Sequence, residues 1–277
     1  MGLRIATNVA ALNAGKNLYG LGIKQNTSMA RLSSGFRVNQ ASDDAAGLAI
    51  SETLKAQIRG LGQANRNAND GISLVQVAEG GLSEMSNMLI RLRELGVQAA
   101  SDTISDRERA LTNIEYQQLK QEMTRISEST KFNGTNLLNG TGGVLDIQVG
   151  TQNNPDLDRI SFHSDQANAT LEALGVTDAM VDKKENAQLS LAAVDGAIDK
   201  VNSIRAGLGA FQNRLQSTSQ NLMTSSENYA AANSRIRDTD IAAESTELAK
   251  NNVLMQAATA VLGQANTQTQ LALKLLG

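Results

Sequence analysis

A chain of 277 residues with 41% hydrophobic and 19% charged residues can bury a core, and its net charge of −3 gives no electrostatic reason to expect a nucleic-acid partner. Cys is absent, which excludes a disulfide framework, a thiolate metal site and a Cys nucleophile, and no run approaches the ~18 apolar residues of a membrane-spanning helix. Aromatic residues make up 3%, with no Trp and a single Pro, Pro155; since Pro inside a helix costs about 3 kcal/mol, this composition permits very long helices packed through Leu, Ile, Val, Met and Ala.

The N-terminal stretch MGLRIATNVAALNAGKN lacks the sustained apolar segment of a secretory signal peptide. Ile5, Val9, Leu12, Lys16, Tyr19, Ile23, Asn26 and Ala30 fall on a three-four stripe, which predicts an amphipathic helix with a narrow apolar face. Ser42-Asp43-Asp44 then precedes a helix-forming run. Asp43 and Asp44 are adjacent carboxylates, yet their place before Ala45-Ala46-Gly47-Leu48 fits helix capping better than acid–base chemistry.

A second stripe, Val75, Ala78, Leu82, Met85, Leu89, Leu92, Gly96 and Ala99, ends in polar Ser101–Ser105. Ser105 and Glu108 read as a capping box opening another helix with Leu111, Ile114, Leu119, Met123 and Ile126, closed by Phe132-Asn133-Gly134. Alternation over Val144–Val149 and again over Arg159–Phe162, around Asn153-Asn154-Pro155, predicts a β-hairpin near 144–163. Residues 164–188 read as a short helix or turns.

The clearest periodicity follows. Val194, Val201, Leu208, Leu215, Leu222, Tyr229 and Ile236 lie seven apart, a seam that needs a partner along a helix of roughly 65 Å. The 75–99 stripe is the expected partner. Near the C-terminus, Leu248, Asn251, Met255, Ala258, Leu262, Ala265, Thr269, Ala272 and Leu276 form a second narrow stripe. The two terminal helices are expected to pair with each other, and the pair to seek further copies. Isolated, such ends do not offset their ordering entropy.

No catalytic constellation accompanies these helices. His163 is the sole His, in a predicted strand; there is no zinc-binding HExxH and no P-loop, and Gly60-Leu61-Gly62 and Gly207-Leu208-Gly209 follow helical patterns rather than strands. No cofactor is expected. Asn26, Asn133, Asn139 and Asn168 begin Asn-x-Ser/Thr sequons, but a glycan on Asn26 would block the terminal stripe and Asn133-Gly134 reads as a turn.

Residues 31–47, RLSSGFRVNQASDDAAG, resemble the N-terminal signature of bacterial flagellins, and Asn65-Arg-Asn-Ala-Asn-Asp-Gly-Ile-Ser73 and Arg91-Leu-Arg-Glu-Leu-Gly-Val-Gln98 are similar to its next blocks. Phe132-Asn-Gly134, Ile147-Gln-Val-Gly150, Leu208-Gly-Ala-Phe-Gln-Asn-Arg-Leu215, Ser234-Arg-Ile-Arg-Asp-Thr-Asp240 and Val261-Leu-Gly-Gln-Ala-Asn266 follow in the family's order. A hook–filament junction protein would share the terminal stripes with weaker central blocks. A secreted adhesin or phage fibre would explain the rods but not the ordered signatures.

The resemblance implies a mainly α fold, a long antiparallel helical coiled-coil bundle with a small β-hairpin region. It implies an inner terminal domain from 1–44 plus 236–277, a central domain from 45–235, and no separate outer domain. The implied function is structural and not enzymatic: a secreted subunit of the extracellular flagellar filament, exported unfolded through a type III apparatus and folded at the tip. Self-assembly is expected through Ile5, Val9, Leu12, Tyr19, Ile23, Leu248, Met255, Leu262 and Leu276. The implied partners are further copies, sister flagellins, an export chaperone, the filament cap and hook-junction proteins. Arg91, Leu95 and Glu115 match the patch that an animal innate immune receptor reads in this family.

Overall fold

The computed structural model describes residues 7–274, with side chains for 7–268. Seven helices and four strands follow in the order α1 (Val9–Ser34), α2 (Ala45–Ala100), α3 (Asp106–Ser129), β1 (Lys131–Phe132), β2 (Thr135–Asn136), β3 (Val144–Gln148), α4 (Pro155–Asp158), β4 (Arg159–His163), α5 (Leu171–Leu174), α6 (Lys184–Arg237) and α7 (Ile241–Lys274). Packing divides the chain into two compact units, Met1–Ala56 with Asn228–Gly277, and Gln57–Glu227. The division falls within α2 and α6, whereas the breaks between helices fall at 35–44 and 238–240.

In the Gln57–Glu227 unit, α2, α3 and α6 form a bundle on which the hairpin lies. Val75, Ala78, Leu82, Met85, Leu89, Leu92 and Ala99 are all fully buried, so the inward row of α2 is the one read from the sequence. The antiparallel register against α6 is marked by Arg93 Nε–Asp195 Oδ1 at 2.6 Å, Arg205 Nη2–Glu79 Oε1 at 2.7 Å and Ser219 Oγ donating to Asn65 Oδ1 at 2.6 Å. That register decides what the seven-residue seam meets. Val194, Val201 and Leu208 pack with the 75–99 row, but Leu215 and Leu222 have passed beyond it and join Leu61, Ala64, Ala68, Val149 and Ile160 in a second cluster. The seam also ends earlier than expected: Tyr229 is 40% exposed and Ile236 only half-buried.

Helix α3 departs most from its sequence pattern. The capping box is present, with Ser105 N and Oγ both donating to Glu108 Oε2 at 2.8 Å. Leu111 and Ile114, however, face solvent, and the buried row is Arg109, Tyr116, Lys120, Met123 and Ser127. Its polar members have main-chain partners. Arg109 donates to Ala99 O and Ser101 O, each at 2.8 Å, answering carbonyls at the C-terminal end of α2 that have no helical donor. Lys120 Nζ donates to Thr177 O at 2.7 Å and Ala179 O at 2.9 Å. Gln117 Nε2 donates to Ala179 O at 3.4 Å, and Val181 N donates to Asn113 Oδ1 at 3.1 Å. One side of α3 thus straps the connection 175–183 to the bundle. Of the 164–188 segment, only α5 and the start of α6 are helical.

Asn133 (φ 48°) and Gly134 (φ 81°) occupy the left-handed region together. They form the two-residue turn joining β1 to β2, a strand pair the sequence reading placed only as a helix stop. The larger hairpin pairs Leu145 with Phe162 and Ile147 with Ile160. Gly71 lets it lie against α2: a Cβ there would meet Ile147 Cδ1 at 2.5 Å and Leu215 Cδ1 at 3.1 Å.

Candidate assembly surface

In the other unit α1 and α7 run antiparallel. Their register is set by Asn8 Nδ2 donating to Ala265 O at 2.9 Å, Gln25 Nε2 to Asn252 Oδ1 at 2.6 Å, and Arg31 Nη1 facing Glu244 Oε2 at 3.5 Å. Asn8 also caps α1 by accepting from Ala11 N, and Gly35 ends it at φ 75°. Ala14 and Ser28 on α1 and Asn251 and Ala265 on α7 are buried, with Leu18, Leu21, Leu248, Met255 and Leu262 half-buried.

The two terminal stripes read from the sequence therefore fall on faces of different kinds. On α7, Leu248, Met255 and Leu262 lie in the row that includes buried Asn251 and Ala265, which faces α1. On α1, Val9, Leu12, Tyr19 and Ile23 point away from the pair, with Tyr19 74% and Leu12 65% exposed. The face of α1 turned to α7 is instead a mixed row, Ala11, Ala14, Leu18, Leu21, Gln25 and Ser28, with two leucines among small and polar residues. Ile5 and Leu276 lie outside the described residues. Val253, Leu254 and Val261 are further exposed apolar residues on α7. Val253, Ala257 and Val261, four apart, form a second, outward row on α7. A pair of helices with apolar rows on its outside has surface that water does not favour, at roughly 25 cal/mol per Å².

Where α1 gives way to α2, and α6 to α7, the two connections are joined to each other. Arg37 N donates to Arg237 O at 2.6 Å, Val38 N to the same oxygen at 3.4 Å, and Thr239 N to Gly35 O at 3.0 Å. The Arg237 guanidinium lies 4.7 Å over the Phe36 ring and 2.6 Å from Glu52 Oε1, and it holds the Glu52 carboxyl below the usual carboxylate range. Asp44 caps α2 by accepting from Gly47 N at 2.8 Å, and Asp43 Oδ2 accepts from Asn39 N and Gln40 N at 3.1 Å each. Both aspartates thus have structural partners.

Of the three residues expected to form a receptor patch, Arg91 and Glu115 come together, with Arg91 Nε donating to Glu115 Oε1 at 2.9 Å and Nη1 to Glu94 Oε2 at 3.0 Å. Hydrogen bonding to Glu115, then to Glu94, raises the Arg91 pKa above its ordinary value. Leu95 does not share their surface. It is 2% exposed, because the inward face of α2 is wide enough to take Leu95 beside Leu92 and Ala99. Near this patch, Ile90 and Val97 on α2 and Leu111 and Ile114 on α3 are exposed apolar residues.

His163 is an exposed strand residue, its Nδ1 3.9 Å from Asp165 Oδ1. Among the described residues there is no cluster of three or more His, Cys, Asp or Glu placed to hold a metal, and no helix is long and apolar enough to cross a membrane.

Comparison with known proteins places these helices. The model of the bacterial flagellin N-terminal helical region matches residues 5–142, and that of the C-terminal helical region matches residues 191–276. The flagellin of Halalkalibacterium halodurans is 46% identical over 97% of this chain and 98% of its own length. A flagellar filament core protein of Brachyspira hyodysenteriae is 41% identical over 98% of this chain and 99% of its own. The crystal structure of Bacillus cereus flagellin, 30% identical, covers 61% of this chain and 94% of its own with a TM-score of 0.51.

Proposed function

The chain belongs to the bacterial flagellin family, and from that premise we propose that copies join through the outward apolar rows of the α1·α7 pair. It is a structural subunit of the flagellar filament. The observation that carries the assembly reading is the exposed row Val9, Leu12, Tyr19 and Ile23 on a helix whose other face already has its partner. Leu248, Met255 and Leu262 act one step earlier, by holding α7 to α1. The terminal pair serves as the inner terminal domain of the subunit and the Gln57–Glu227 unit as its central domain. The protein works as a polymer and not as an enzyme, outside the cell, reached by export in the unfolded state with an export chaperone. It meets hook-junction proteins, the cap and sister flagellins at the filament. These readings rest on family membership.

The test is seeded polymerisation of Leu12→Ser plus Tyr19→Ser. Both side chains are exposed, so the substitutions spare the α1·α7 contact and should abolish elongation seen by sedimentation and electron microscopy. Elongation at the unsubstituted rate would overturn the proposal.

The second reading concerns the free subunit. Arg91 and Glu115 form the polar centre of the surface an animal innate receptor reads, and buried Leu95 supports it from beneath rather than touching the receptor. Arg91→Ala should weaken receptor signalling at least several-fold. If Leu95→Ala reduced signalling with the fold intact while Arg91→Ala left it unchanged, the assignment would be reversed.

A further inference from the structure

Two features of the Gln57–Glu227 unit, one at the edge of its core and one on a loop, lie outside the surfaces described above. One is a slot of about 300 Å³ between β4 and α6, lined by Phe162, Ala167, Ile204, Gly207, Leu208 and Phe211. Gly207 lines it, and a Cβ built there would meet nothing within 4 Å, so the position has room for a side chain. The other is Leu157, 78% exposed, the most exposed large apolar side chain described. It stands on α4, in the loop between β3 and β4.

That loop is held firmly. Val149 N and Gly150 N donate to Asp158 O at 2.8 and 3.0 Å, Asn154 N to Asp158 Oδ2 at 2.9 Å, and Asp156 N to Asn154 Oδ1 at 3.1 Å. Pro155 fixes its own φ at the start of the turn. Leu157 is thus a preordered projection, and little further entropy is lost when it is buried.

An open helical polymer needs two different surfaces on each copy that fit one another, because a head-to-tail contact that does not close repeats indefinitely. A projection and a slot on one chain meet that need, and Leu157, being exposed, does not occupy the slot of its own copy. Size agrees: a cavity of about 150 Å³ holds benzene, so the slot takes a leucine side chain with part of its flanking main chain. Charge does not oppose the fit. Leu157 is flanked by Asp156 and Asp158, and none of the residues lining the slot is acidic; Asp165, beside His163, lies outside the lining.

We propose that Leu157 of one copy seats in the Gly207 slot of another in the filament. This rests on the filament reading above and adds a specific contact to it. Gly207→Leu fills the slot from within its own chain and replaces a helix-interior glycine by a better helix former. Its monomer should melt no lower than the unsubstituted protein, while its elongation on seeds should slow at least ten-fold. Leu157→Ala should also slow elongation. The double variant should elongate faster than Gly207→Leu alone, because the projection no longer collides with a filled slot. Elongation of Gly207→Leu at the unsubstituted rate, or no relief in the double variant, overturns the proposal.

A second measurement stands even if Gly207→Leu misfolds. Ser203 also lines the slot, and the chain has no Cys, so Leu157→Cys plus Ser203→Cys introduces the only thiols. Oxidised, sedimented filaments of this variant should run as a covalent ladder on a denaturing gel, and filaments without a ladder count against the contact. Failure of the unsubstituted protein to elongate on seeds would instead strike the filament reading beneath it.

Discussion

Glu108 illustrates how one side chain sets a boundary. It accepts from Ser105 N and Oγ, and these hydrogen bonds, the main-chain one foremost, hold its carboxyl below the usual carboxylate range. A carboxyl whose folded pKa is depressed contributes stability above its unfolded value of about 4.3, and that contribution is lost as pH falls through the lower folded value. Hydrogen exchange should therefore show the first turn of α3 loosening in acid before the bundle core. Glu108→Gln keeps the capping partner without a charge to titrate, so its first turn should lose that acid sensitivity; equal acid sensitivity in both proteins would remove Glu108 as the cause. This capping pair was legible in four residues of sequence. The burial of Arg109 and Lys120 was not, because the main-chain carbonyls they answer lie 8–10 and 57–59 residues away in the chain. Leu95 failed for a related reason: a spacing of four from Arg91 gives neighbourhood along a helix, not the width of the buried face.

At the scale of elements, the long helices were written plainly by period and by the lack of Pro, and their partners less plainly. The seam on α6 has an even repeat, yet register against α2 divides it between two clusters. Leu215 is fully buried in the second, beside the hairpin. Leu215→Ala should cost about 2–5 kcal/mol. For a unit spanning Gln57–Glu227 this lowers the melting temperature by roughly 4–20 °C, and filaments should still grow in the cold. Leu262→Ala acts on α7 against α1, so it should leave the melting of the Gln57–Glu227 unit unchanged and impair polymerisation at every temperature. Calorimetry of the two variants separates these outcomes, and equal lowering of that transition by both would refute the division of labour. The terminal stripes teach a second point. Periodicity found an apolar row on each terminal helix, but could not say which row meets the other helix and which looks outward. On α1 the row turned to its partner is the less apolar one, with Gln25 and Ser28 in it.

Across the whole molecule, family and function were carried by the order of the signature blocks, while the placement of strands β1 and β2 and of the connection 175–183 came only from the folded chain. That connection has a consequence for what its sequence must encode. Lys120 and Gln117 answer its carbonyls and Asn113 accepts one of its amides, so α3 recognises main chain, which every residue type except Pro presents alike. Val176, Ala179 and Val181 are buried, while Thr177, Asp178 and Met180 are exposed. The instructions for this loop are thus stored mostly in another element. Half of its letters are free to drift, while its length is fixed by the spacing of three side chains along a helix. Variation at 177, 178 and 180 that keeps the count of residues passes unnoticed by the bundle, and a single insertion between 177 and 181 puts the carbonyls out of reach of Lys120 and Gln117.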